Sequence, residues 1–90
     1  MNHNRIDQIR IRLVAALEPS ALEVRDDSAQ HVGHAGAQGG AGHYTVSIRA
    51  NAFTGLHRLQ RHRLVYDAVA DMMPGEIHAL SINATAPEED

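Results

Sequence analysis

Apolar residues at Ile6, Ile9, Leu13, Ala16 and Leu17 recur at three- and four-residue steps, the spacing of one helical stripe. Asn4 stands where an N-cap belongs, and Asp7 puts negative charge in the first turn, where the helix dipole favours it. Pro19 ends this helix. From Ala21 to Asp26 the pattern changes to alternation, with Leu22 and Val24 opposite Glu23 and Arg25, and predicts a short strand. His43 to Ala50 alternates more clearly: Tyr44, Val46, Ile48 and Ala50 share one face, and Thr45, Ser47 and Arg49 the other. Between these strands, residues 27–42 carry five glycines and follow neither period, so they read as a flexible loop, long enough to suggest a functional one.

Phe53-Thr54-Gly55 predicts a turn. Leu59, Val65, Val69, Met72 and Met73, with Tyr66 beside them, form the apolar side of a second helix that Pro74-Gly75 stops. Glu76 to Ala84 predicts a third strand, with His78, Leu80, Ile82 and Ala84 on one side. The order helix, strand, strand, helix, strand predicts an α+β fold: a three-stranded mixed sheet with both helices on one face. Ninety residues make one domain spanning the whole chain, 1–90, closed by an acidic tail at 86–90.

Composition narrows the chemistry. The hydrophobic fraction is 43%, but the only aromatics are Tyr44, Tyr66 and Phe53, so the core is aliphatic. The formal charge of −3 argues against a general polyanion binder. The charge is uneven, however: Arg49 to Arg63 holds four Arg, two His and no acid, while Glu88-Glu89-Asp90 is acidic. Such a basic run serves either as a solvated face or as a docking face. No apolar run is long enough to span a membrane, none resembles a secretion signal, and a cytoplasmic location is the default expectation. There is no cysteine, which excludes disulfides, thiolate zinc sites and any all-Cys iron–sulfur site built by this chain alone. No carboxylate pair or activated nucleophile stands out, so a non-enzyme is expected. Seven histidines in so short a chain are many, and neutral imidazole is a metal ligand.

Three motifs in order carry a family resemblance. Leu22-Glu23-Val24-Arg25-Asp26-Asp27-Ser28 followed by His31 resembles the first strand and loop of the BolA family. Phe53-Thr54-Gly55 with Arg61-His62-Arg63-Leu64-Val65-Tyr66 resembles its central signature, and Ile77-His78-Ala79-Leu80-Ser81-Ile82 its closing strand. The resemblance covers roughly residues 5 to 88 and implies an α-β-β-α-β fold with an extra helical turn, similar to the type II KH arrangement. It also implies a monothiol glutaredoxin partner and a [2Fe–2S] cluster shared with that partner and glutathione, with no cofactor in the isolated protein. The closing-strand ligand maps onto His78. The second maps onto the loop, where His31, His34 and His43 compete; His31 and His34 are the preferred candidates. Imidazole ligation raises a cluster's potential and makes its attachment sensitive to acid, since imidazole has an ordinary pKa of about 6.5.

Two other readings stand beside this one. Some members of the family are described as transcriptional regulators, and Arg58, Arg61 and Arg63 on the second helix suit phosphate contacts with DNA, or docking to a partner. Gly36-Ala37-Gln38-Gly39 matches a KH clamp only in spelling, because it lies between strands. A pure adaptor that touches glutaredoxin without ligating metal is the third reading. The lone protein is expected to be a monomer or a weak homodimer.

Overall fold

The computed structural model describes residues 5–27 and 42–89. Helix α1 spans Arg5–Leu17 and strand β1 Ala21–Asp26. Strand β2, Gly42–Arg49, is followed by a 3-10 turn at Asn51–Phe53, helix α2 at Arg58–Ala68, a second 3-10 turn at Ala70–Met72, and strand β3 at Ile77–Thr85. The expected N-cap Asn4 and nearly all of the expected loop lie outside the described residues.

The sheet order is β1-β2-β3: β1 pairs antiparallel with β2, and β2 pairs parallel with β3. This is the expected mixed sheet. Its inner face presents Tyr44, Val46 and Ile48 from β2, buried with Ile9 and Leu13 of α1, Val65 of α2, and Phe53, Val69, Met72 and Ile77 from the connecting segments. The opposite face of β2 carries His43, Thr45, Ser47 and Arg49, all half-buried.

Each element ends for a local reason. Glu18 leaves α1 with a φ of 47°, its N–H closing onto the Val14 carbonyl 3.1 Å away, and Pro19 prevents further helix. Phe53 anchors its 3-10 turn in the core. Gly55 then takes a φ of 80°, which favours glycine, so the Phe-Thr-Gly signature is a device that aims α2. A capping box starts that helix: His57 Nδ1 accepts from the Gln60 N–H at 3.4 Å, and the His57 N–H donates to Gln60 Oε1 at 3.1 Å.

Helix α2 is shorter than its apolar stripe predicts. It ends at Ala68, and Val69 and Met72 reach the core through the 3-10 turn instead. Leu59, read as part of the apolar side, is 58% exposed.

Phe53 is fully buried and is the largest such side chain. Phe53→Ala is expected to lower unfolding free energy by about 3–5 kcal/mol in urea denaturation. A loss below about 1 kcal/mol contradicts this placement of the turn.

Candidate metal-ligand pair and the clamped edge strand

The site begins with an irregularity in the β2–β3 ladder. Gly42 pairs with Ile77, but His43 pairs with Ala79, so His78 has no residue opposite it. An inserted residue of this kind breaks the alternation and re-aims its side chain. His78 is therefore exposed, although regular alternation predicts that it shares the face of buried Leu80. Its ring centroid lies 5.0 Å from that of His43, at an interplanar angle of 52°. Two imidazoles on one tetrahedral ion, at metal–nitrogen distances of about 2.0–2.1 Å, place their ring centres roughly 5 Å apart. The pair thus has the spacing of two donors to one metal. Among the described residues no third His, Cys, Asp or Glu joins them, so the remaining ligands of any metal here come from elsewhere.

The strand root beside His43 is firmly tied. The Asp27 N–H donates to the His43 carbonyl at 2.8 Å. The Asp27 carboxylate accepts from Arg25 Nε at 2.8 Å and from the Thr45 hydroxyl at 2.5 Å. These bonds join the end of β1 to the start of β2 and fix the backbone from which His43 projects. His31 and His34, the preferred loop candidates, lie outside the described residues. Among the described residues, His43, named beside them as a competitor, is the histidine that lies against His78. Alternation on β2 places His43 opposite Tyr44, but no sequence period reveals the insertion at His78.

Strand β3 is a sheet edge, and α2 secures it. The Ala50 N–H donates to the Thr85 carbonyl, so the odd-numbered residues of β3 turn their backbone groups toward β2. Leu80, Ile82 and Ala84 therefore face outward. The Tyr66 hydroxyl donates to the Leu80 carbonyl at 3.1 Å, and Arg61 Nη1 to the Ala84 carbonyl at 3.1 Å. Arg61 Nε also donates to the Leu56 carbonyl at 2.8 Å. Its two terminal nitrogens grip the Glu89 carboxylate at 2.6 and 2.7 Å, a bidentate pair. Glu89 in turn accepts from the Ala86 N–H at 2.9 Å, and its carbonyl accepts from Arg49 at 2.9 Å.

Arg61 is thus committed to its own chain, its side chain only 12% exposed. A substitution there disturbs the hold on β3 before it reports on any partner. Arg58 and Arg63, the other two candidates on α2, are exposed. His62 is half-buried and lines a cavity beside Arg61 and Ile82.

The Arg61 guanidinium, with help from the Ala86 N–H, pulls the Glu89 carboxyl down to about 2 from an ordinary 4.5. The folded-state value is the lower one. The bond's contribution is therefore present above about 4.5 and is lost as pH falls toward about 2. Thermal melting across that window is expected to show a shallower acid loss for Glu89→Gln than for wild type; equal slopes contradict the clasp.

A family model described as "BolA-like protein" matches residues 13–89. The chain is 44% identical over 87 residues to "SufE-like protein 1, chloroplastic/mitochondrial" of Arabidopsis thaliana, covering 91% of this chain and 24% of that protein. It is 43% identical over 81 residues to "BolA-like protein 1" of Homo sapiens, covering 90% and 57% respectively. The chain therefore spans about a quarter of the first relative and a little over half of the second. It is also 34% identical over 83 residues to "DNA-binding transcriptional regulator BolA" of Escherichia coli (strain K12), covering 92% and 76%. The solved structure of the BolA domain of SufE1 from Arabidopsis thaliana superposes with a TM-score of 0.86 at 40% identity, each chain covered fully. No helix among the described residues is long and apolar enough to cross a membrane.

Proposed function

The chain belongs to the BolA family, and from that premise we propose that it is a non-enzymatic iron–sulfur trafficking or iron-regulation factor. In this reading it shares a [2Fe–2S] cluster with a monothiol glutaredoxin and glutathione, lending imidazole donors from His78 and His43. The observation that carries the reading is the 5.0 Å approach of the two rings across the β-bulge. The donor set supports it as well: a chain without cysteine contributes to such a cluster through nitrogen and relies on outside sulfur. When bound, imidazole in place of thiolate makes a cluster less negative and its attachment sensitive to acid. The protein's own task is to hold two ring nitrogens together at an exposed strand end, where a partner surface reaches them.

The test mixes the protein with cluster-loaded monothiol glutaredoxin and follows visible absorption and circular dichroism. Wild type is expected to alter the spectrum, and His78→Ala and His43→Ala are each expected to abolish or change that alteration. His31→Ala and His34→Ala, run alongside, test the two preferred loop candidates by the same readout. Wild-type spectra from both His43→Ala and His78→Ala overturn the reading and favour a metal-free adaptor.

The Escherichia coli relative's description and the exposed Arg58 and Arg63 favour one second reading, DNA binding through α2. Phosphate contacts by two arginines lower log K against log salt with a slope near −1.8, about −0.9 per contact. Binding to a duplex at low salt with such a slope, reduced in Arg58→Ala, supports it; no binding at low salt removes it.

A further inference from the structure

A cavity of about 570 Å3 lies between the start of α2 and the outer edge of β3, lined by His57, Arg58, Arg61, His62, Ile82 and Asn83 among others. Its lining holds two arginines and two histidines and no carboxylate. Glu89, which is not among the lining residues, meets the charge of Arg61. Arg58 is exposed and makes no ion pair among the described residues. Glu88 adds further negative charge near Arg61, so the uncompensated cation at this cavity, among the described residues, is Arg58.

The backbone at this cavity is also unusual. Of the three β3 residues that face outward, Leu80 and Ala84 have their carbonyls taken by Tyr66 and Arg61. Ile82 lies between them and lines the cavity; by the same alternation its N–H and C=O point away from β2, and no side chain of the described residues bonds to either. A strand edge offering a donor and an acceptor on one residue matches another peptide backbone. The flanking clamps limit such pairing to about one residue, which permits a short segment and excludes a long added strand.

We propose that this cavity takes a short, extended, acidic peptide segment from a partner protein. One main-chain pair forms at Ile82, and a carboxylate side chain sits at Arg58 and His62. The chain already uses the same chemistry close by, where Arg61 and the Ala86 N–H together hold the Glu89 carboxylate. A continuous polyanion such as a nucleic acid fits less well, because a sugar–phosphate backbone has no peptide N–H and C=O to pair with Ile82. The site is separate from the histidine pair: Ile82 lies four residues beyond His78, roughly 13 Å along the strand.

The experiment is an amide nitrogen–proton NMR titration of the full chain at low salt. The probes are a blocked Val-Glu-Val-Glu-Val peptide, its Val-Gln-Val-Gln-Val counterpart, and a single-stranded pentanucleotide. The acidic peptide is expected to shift Ile82, Asn83 and His62, and Arg58→Ala to weaken it about five- to tenfold. Arg63→Ala removes the same charge from outside the cavity lining and is expected to leave binding unchanged. Equal binding of the glutamine peptide, equal effects of the two arginine changes, no shift at Ile82, or binding of the pentanucleotide alone each overturns the proposal.

Discussion

Parallel pairing between β2 and β3 forces the chain to cross from the end of one strand to the start of the next, and α2 is that crossover. The crossover leaves β3 at the sheet edge with outward-facing backbone groups. The helix that creates the edge also covers much of it, through Tyr66 at one end and Arg61 at the other. Holding β3 in place fixes its register against β2. The register contains the inserted residue at which His78 meets His43. The signature arginine and tyrosine of α2 are therefore tied to the histidine at the head of β3 through the strand itself.

The two ends of β3 do different work. Its start is irregular and exposed, and it sets one imidazole against another beside the Asp27–Thr45–Arg25 ties at the root of β2. Its later half is regular, bonded to α2 and to the Glu89 clasp, and lines the cavity beside Arg58. The acidic tail and the basic run, separate features along the chain, meet here: Glu89 neutralises Arg61, and Arg58 and Arg63 stay outward. The uneven charge of the sequence is thus partly an internal bond and partly a surface.

The fold was legible because its elements obey simple periods. Ile9 and Leu13 mark one helical stripe, and the alternation from Tyr44 to Ile48 marks the central strand, whose inner face is buried throughout. The sequence pattern makes the second helix too long because Val69 and Met72 continue an apolar stripe that a 3-10 turn also satisfies. The site was less legible. Alternation places His78 on the face of Leu80 because it counts residues and cannot register an insertion specified by the partner strand. Arg61 looks like a free contact residue in the sequence because its acceptors, Leu56, Ala84 and Glu89, are brought to it only by tertiary structure. The mapping of a loop ligand onto His31 or His34 falls on residues outside the described structure, and His43 is the competitor that the sheet positions.

Everything proposed for the site rests on the nearness of two rings that the sequence separates by most of β2 and the whole of α2. Proton NMR of the isolated protein measures it directly, through nuclear Overhauser contacts between the ring protons of His43 and His78. With centroids 5.0 Å apart, cross-peaks between the two rings are expected, and they should survive without metal or partner. Resolved signals from both rings with no contact between them, together with a regular Gly42–Ile77, His43–His78 ladder, would contradict the bulge and with it the shared-ligand reading.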